Sequence, residues 1–433
     1  MGVSFNFANG RNQYNLSLLS MRILMITPYV TIEGRSEFEK NKTGFGYMVL
    51  DIAKAVGKME EVDLLATDTR GRGFVEERVR YLKRSIALFL RHLHRCLPIA
   101  SFVGLVKRYP QMQRPTKIRL FYYWLMTGYM KRIIRTGHYD IVHMHGCSLS
   151  TDLWMEVCDS LKQKFVVTLH GLNSFSDTVK LEPAGKQYER DFLKRVMDGE
   201  IPITVISTGM KRLIEKTYGV KDRKNITVVC NAFNFADDLR GGRFLVERLE
   251  FGDDSHVILC VGNVSRKKNQ GQLIRAFELL PEGLAERTYI VFLGGNYEKD
   301  YTIEKLSEGC RWASHFIACA AVPKEAVAGY YEQCDAVALM SLSEGFGLSL
   351  IEGMHFGRPS MSFTDVDAFE DIYNECAMIG VGEHSDEAVA KGLEILLTKE
   401  WDSERIKKYS KKFETERMAN NYIYVYKKEI QHT

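Results

Sequence analysis

The chain has 433 residues, 45% of them hydrophobic and 26% charged, with a formal net charge of +4. Such a length holds two or three domains, and such a balance is that of a soluble globular protein rather than a disordered or fibrous one. No run nears the roughly 20 apolar residues of a membrane-spanning helix, and nine scattered cysteines without a CxxC pair argue against a zinc site or a disulfide framework.

In chain order, residues 1–20 read as an extension that is expected to be poorly ordered. The apolar stretch from Leu16 to Val30 is broken by Arg22 and Pro28 and lacks a cleavage-site pattern, so it does not read as a signal peptide. Strand-like runs then alternate with helical ones, the pattern of mainly parallel sheets with helices on both faces. In the first half, strands are expected at Ile23–Thr27, Val62–Ala66, Ile141–His145, Phe165–His170, Ile203–Ser207 and Ile226–Val229. Helices are expected at 47–59, 151–162, 188–198 and 209–218. A break between Asn231 and Asp254 reads as a hinge. Beyond it, strands are expected at Val257–Val261, Tyr289–Leu293, Phe316–Cys319, Ala336–Met340 and Pro359–Phe363. Their helices fall at 270–280, 323–333, 348–355 and 385–397, and a last helix at about 416–429 sets Met418, Tyr422 and Val425 on one face. Cysteines such as Cys260, Cys319 and Cys334 sit in apolar surroundings and read as buried thiols of a reducing compartment.

Charge is unevenly spread. Residues 72–135 hold fifteen Lys and Arg against Glu76 and Glu77, a local +13, so the rest of the chain carries −9. The same segment is rich in Trp, Tyr, Phe and Leu, as in 86–90, 102–106 and 120–126. Basic residues interleaved with large apolar ones at helical spacing suggest helices lying on an anionic membrane surface. Plain packing with solvated charged faces competes with that reading, and nucleic acid is the weaker rival and is not expected as a partner.

The most informative stretch is Glu344-Gly345-Phe346-Gly347-Leu348-Ser349-Leu350-Ile351-Glu352. Two carboxylates eight positions apart stand roughly 80° from each other on a helix, and the glycines disfavour helix. The pattern predicts a glycine loop running into a helix that starts near Leu348 or Ser349, whose free amides suit an anion. Glu352, among Leu350, Ile351, Met354 and Phe356, requires a hydrogen-bond donor. The hydroxyls of a nucleotide ribose would supply two.

The stretch from Ser341 to Ser360 resembles the signature of glycosyltransferase family 4, the retaining GT-B sugar-nucleotide transferases. The resemblance runs from Met21 onward and implies an α/β GT-B fold: two Rossmann-like doubly wound domains facing a central cleft. It implies an acceptor domain at 21–240 carrying the 72–135 insert, a donor domain at 250–415, and a helix at 416–433 that crosses back to the first domain. It further implies that Glu344 lies by the transferred sugar, that Glu352 holds the ribose, and that Gly345, Phe346, Gly347, Leu348 and Ser349 present amides to the donor. Thr43-Gly44-Phe45-Gly46-Tyr47 is the best match to the family's glycine-rich loop before a helix, so Gly44 and Gly46 are candidates for close approach to the donor. His143, His145 and His170 end strands; the first two read as structural, whereas His170 matches a histidine beside the transferred sugar.

Val261-Gly262-Asn263-Val264-Ser265-Arg266-Lys267-Lys268 resembles the family's phosphate loop. Lys268 fits the lysine position, Asn263 replaces the usual arginine, and Arg266 or Lys267 could substitute by reaching inward. Asn231-Ala232 departs from the family's Asn-Gly and reads as structural. Asp365-Val366-Asp367 has the form of a metal-binding DxD, but the family's chemistry implies no metal and no cofactor. The expected activity is a metal-independent hexosyltransferase that uses a UDP- or GDP-linked sugar. The expected acceptor is a lipid-linked glycan of surface polysaccharide synthesis, with the enzyme cytoplasmic and peripheral on the inner face of the cell membrane. A GT-B sugar-nucleotide epimerase and a non-catalytic nucleotide-sugar-binding subunit are the alternatives.

Overall fold

The computed structural model describes residues 20–39, 43–175, 181–235, 252 and 254–431. The expected N-terminal extension, apart from Ser20, and most of the expected hinge lie outside the described residues. Two parallel sheets organise the rest. The first holds β1 (Arg22–Thr27), β2 (Glu61–Ala66), β3 (Phe74–Glu76), β4 (Val79–Tyr81), β5 (Ile141–His145), β6 (Phe165–Leu169), β7 (Ile203–Val205) and β8 (Ile226–Val228). Their order is β3-β4-β2-β1-β5-β6-β7-β8, parallel except that β3 runs against β4. The second holds β9 (His256–Val261), β10 (Thr288–Leu293), β11 (Phe316–Cys319), β12 (Ala336–Leu339), β13 (Ser360–Phe363) and β14 (Met378–Val381), in the order β11-β10-β9-β12-β13-β14. Helices cover both faces of parallel sheets, so the strands are apolar nearly throughout rather than alternating. Ile23, Leu24 and Met25 in β1, and Ile258 and Leu259 in β9, are fully buried.

Each sheet has a switch point where the strand order reverses, at β1/β5 in the first and β9/β12 in the second. The crevice beyond the carboxyl ends of such strands is the usual ligand position. The sheets are bridged directly: Gly209 N donates to Asp367 O at 3.1 Å, and Thr208 N donates to the Asp371 carboxylate at 2.7 Å. Lys324 Nζ pairs with Asp51 Oδ2 at 2.7 Å. The last helix, Thr415–Gln431, buries Met418, Tyr422, Val425 and Tyr426 against the first domain, where Tyr426 OH lies 2.7 Å from His143 Nδ1. Each such buried side chain contributes roughly 1.5–3 kcal/mol.

The structure corrects several expectations. Gly44 and Gly46 do not form a loop ahead of a helix. They occupy the first turn of the helix Gly44–Gly57, capped by Thr43, whose Oγ1 accepts from Gly46 N at 3.3 Å. The basic segment is not wholly a membrane-facing set of helices. It opens with β3 and β4, whose apolar residues are interrupted by Glu76 and Arg80, and its long helix Arg114–Gly137 buries Leu120, Tyr123, Met126 and Met130 in the core. Cys260 and Cys334 are buried, with burial pushing both thiols up to about 12, but Cys319 is only half-buried.

Candidate active site

The loop after β12 and the loop after β9 flank the switch point of the second sheet, and each delivers one charged side chain to it. Lys268 Nζ and Glu344 Oε2 form an ion pair there, and Ser341 Oγ also donates to that oxygen at 3.4 Å. Burial alone would push the Glu344 carboxyl up. Lys268, by charge and hydrogen bond, together with Lys267 and Ser341, outweighs it and holds the group below the usual carboxylate range.

The helix Leu348–His355 begins as expected, with Gly347 as its cap at φ 82°, a left-handed conformation natural to glycine. Leu350 N turns back to Gly347 O at 3.0 Å. Among the described residues no acceptor engages the Gly345, Phe346, Leu348 or Ser349 amides, which leaves them available to an anion at the helix N-terminus. The Phe346 side chain is buried, 6.0 Å from the Phe413 ring, so only its backbone is on offer to a ligand. Ser349 is likewise buried, and Leu348 packs, partly buried, against two of the three apolar clusters among the described residues.

Glu352 lies one turn into that helix, and Tyr331 OH donates to its Oε2 at 2.7 Å. Thus one donor that the sequence left to a ligand is supplied by the protein. Burial raises the Glu352 carboxyl against the opposing pull of Lys324 and Tyr331. Lys324 spans from Glu352 towards Asp51 on the Gly44–Gly57 helix, and Asp51 also accepts from Asn234 Nδ2 at 2.9 Å.

His170 stands on the opposite wall. A Cβ on Gly345 would sit 3.4 Å from the His170 carbonyl oxygen, so the donor-side loop and the end of β6 touch. The His170 ring meets Phe45 edge-on at 5.0 Å, and its Nε2 lies 3.1 Å from His145 Nδ1. Burial pushes His170 down to about 4, so it is neutral at pH 7. His143 is satisfied on both nitrogens, by Tyr426 OH and by Thr168 Oγ1 at 2.6 Å. His145 is buried with Nε2 unpartnered.

The remaining candidates lie apart from this pair. Arg266 is held by Glu298 and Asp300, the latter at 2.7 Å, and does not reach Glu344. Asn263 is exposed, and its carbonyl accepts from Gln270 Nε2 at 3.1 Å. Gly46 approaches Thr31 so closely that an added Cβ would stand 2.3 Å from Thr31 Oγ1, while Gly44 faces open space. Asp365 is taken by His384 at 2.9 Å. Asp367 is pushed up to about 6 by burial and the Glu344 charge, so it belongs to the cleft as a carboxylate. No cluster of three or more metal-ligating side chains occurs among the described residues. Tyr331, Lys324 and Asp51 escaped the sequence reading, and Asp367 and Phe45 entered it only as members of the DxD and glycine-rich patterns, because each acquires its neighbour only across the fold.

Comparison with known proteins agrees with the fold. A model for glycosyl transferases group 1 matches residues 243–413, and one for glycosyltransferase family 4 matches residues 43–236. The curated proteins give no match. Among solved structures, a glycosyltransferase from Rickettsia africae ESF-5 is similar with a TM-score of 0.68 at 15% identity, over 96% of this chain and 100% of that one. WaaG, a glycosyltransferase involved in lipopolysaccharide biosynthesis, is similar with a TM-score of 0.63 at 12% identity, over 95% and 100%. HepE from Anabaena, in complex with UDP-glucose, has a TM-score of 0.63 at 13% identity, over 94% and 100%.

Proposed function

We propose, from the premise that this chain belongs to the family 4, group 1 glycosyltransferases of GT-B fold, that it is a retaining enzyme moving a hexose from a UDP- or GDP-sugar to a hydroxyl of a lipid-linked glycan. The observation that carries the reading is the Lys268–Glu344 pair beside the unengaged amides of 345–349, with His170 across the cleft. Glu352, steadied by Tyr331, binds the ribose, and the loop amides hold the diphosphate. Glu344 accepts a hydrogen bond from a sugar hydroxyl, and neutral His170 contacts the sugar from the acceptor side. As the bond from the anomeric carbon to the phosphate oxygen breaks, negative charge grows on the phosphate. Lys268 and the amides, already in place, stabilise that charge without reorganising. The acceptor oxygen bonds to the anomeric carbon on the same face, and its proton passes to the departing phosphate. Metal independence is part of the proposal, and no cofactor enters it.

The lipid-linked acceptor and a position on the inner face of the cell membrane rest on the insert. Of fifteen exposed large apolar residues among the described residues, eight fall from Val75 to Phe121 inclusive. Six of them form pairs one turn apart on three helices: Ile86 with Leu90, Ile99 with Val103, and Ile118 with Phe121. Cations such as Arg91, Arg95, Arg114 and Lys117 surround them. That is the composition of an interfacial surface. WaaG, the similar lipopolysaccharide enzyme, supports a surface-glycan acceptor by analogy of fold alone.

A panel of UDP- and GDP-sugars, incubated with and without a lipid-linked glycan, tests the function. Nucleotide release that depends on acceptor, and persists with EDTA, is expected. Conversion of the donor to another sugar without acceptor, or binding without turnover, refutes the transferase reading.

A further inference from the structure

At the carboxyl end of β4, Arg84 is 6% exposed. Its side chain makes no hydrogen bond or ion pair among the described residues, and its Nε is enclosed and unpartnered. Arg84 N donates to Gly71 O at 3.3 Å, which ties it to the loop after β2. Its guanidinium carbon lies 5.0 Å from the Tyr122 ring centre and 5.9 Å from that of Phe89. Aromatic faces attract the cation but offer its planar N–H fork no acceptor in the fork's own plane. Exposed Arg70 and Asp68 face it from the loop after β2, and Arg119 lies near Tyr123. Asp68, the carboxylate of this group, already accepts from Tyr123 OH at 2.5 Å. Burial pushes the Arg84 guanidinium below its ordinary range, Arg70 adds to that, and Tyr122, Asp68 and Tyr123 oppose it. An arginine keeps its proton in proteins, so an enclosed guanidinium with no carboxylate bonded to it, and only the charge of Asp68 nearby, has room for a further anion.

The place matters as much as the charge. Strand β4 runs parallel to β2, and β2 to β1, so Arg84 emerges on the same edge of the sheet as His145 and His170. The exposed apolar pair Ile86 and Leu90 follows at once. We propose that Arg84, with Arg70 and Tyr122, forms a subsite for a phosphate ester of the acceptor, which the guanidinium grips through two parallel N–H donors. The proposal rests on the transferase reading for the word acceptor, but the site itself is separate from the Lys268–Glu344 pair. A lipid phosphate would seat its head on Arg84 and its chain over Ile86 and Leu90, whereas a soluble phosphate ester would use the head contact alone.

Calorimetric titration with inorganic pyrophosphate, on the parent and on Arg84→Gln, Arg70→Gln and Lys268→Ala, tests it. Two anion sites are expected. Arg84→Gln and Arg70→Gln each weaken one of them about 10-fold or more and leave the other unchanged. Lys268→Ala weakens only the other. Arg84→Gln removes a buried charge at similar volume, so its melting temperature stays equal or rises; Arg70→Gln, at an exposed position, carries the test independently. Sedimentation with phosphatidylcholine vesicles, with and without a polyprenyl monophosphate, separates the sources. Arg84-dependent binding to the phosphate-bearing vesicles assigns a lipid, and Arg84-dependent titration without it assigns a soluble ester. An anion site that moves with Lys268 alone, untouched by Arg84→Gln and Arg70→Gln in titration and sedimentation, overturns the proposal and leaves the donor site standing. Loss of the Lys268-dependent site alone refutes the donor reading instead.

Discussion

Replacing Lys268 by methionine removes the ammonium but keeps the apolar length of the arm. Glu344 then stays in a cleft where burial favours the protonated form, with no paired cation to offset it. Breaking a fully buried pair costs about 3–5 kcal/mol. Lys268 is 24% and Glu344 18% exposed, so solvent screening reduces this to about 2 kcal/mol. The assay is a double-mutant cycle of Lys268→Met and Glu344→Gln by urea unfolding, run at pH 7 and again in steps down to acid. The sign follows from the lowered folded pKa of Glu344. The pair's stability is present above the ordinary value of 4.5 and is lost as pH falls through the lower, folded value. A coupling of about 2 kcal/mol at pH 7 that fades in acid is expected. In transfer, Lys268→Met lowers kcat by about 100-fold, the scale for losing one preorganised charge-stabilising donor. A coupling below about 0.5 kcal/mol, or one independent of pH, places the pair with ordinary surface bridges and refutes the argument.

Three further outcomes follow from the geometry. Tyr331→Phe leaves Glu352 a buried acceptor without its 2.7 Å donor, and nucleotide affinity by calorimetry falls about 5- to 10-fold; unchanged affinity detaches Glu352 from the ribose. Asp367, with its pKa pushed up to about 6, stabilises the fold below the ordinary value of 3.8 and withdraws that support as pH rises through 6; Asp367→Asn therefore raises the melting temperature at pH 7.5 but not at pH 3.5, and equal shifts at both refute the assignment. Ile118→Asp with Phe121→Asp sets two charges on the exposed stripe, lowering sedimentation with phosphatidylglycerol vesicles at least 10-fold while the melting temperature holds; equal sedimentation removes the membrane surface.

Much of the fold was legible because its signals are local. Apolar runs of strand length recur in the order that parallel α/β layering requires, and Gly347 marks the start of the Leu348 helix one residue ahead. Strands β3 and β4 were missed because Glu76 and Arg80 interrupt their apolar residues within a basic stretch, whereas the equally short β7 and β8 are uncharged Ile-Thr-Val runs. Strand β14 was missed because Gly380 lowers the strand propensity of Met378–Val381. The Gly44 helix was set three residues too late, since glycine lowers helix propensity while Thr43 capping and the contact with Thr31 override it. In the phosphate loop, the family resemblance suggested that Arg266 or Lys267 stands in for the arginine that Asn263 replaces; the charge of Lys267 acts on Glu344, whereas Arg266 turns away. Two carboxylates from residues 298 and 300 claim it, and no reading of 261–269 by themselves reveals them.

By itself, the sequence determined the alternation of strands and helices, the glycine loop at a helix N-terminus, and the identity of Glu344, Glu352 and Lys268 as groups of interest. These depend on periodicity, backbone conformation and side-chain chemistry, which neighbours in the chain dictate. Only the tertiary structure decided which groups meet. Lys268 and Glu344 are 76 positions apart and pair because β9 and β12 adjoin at a switch point. His170 reaches Gly345 because two sheets face each other, and Arg84 lies enclosed because Tyr122, from another element, covers it. Charge pairing and burial act through space, and separation along the chain does not measure distance in the fold.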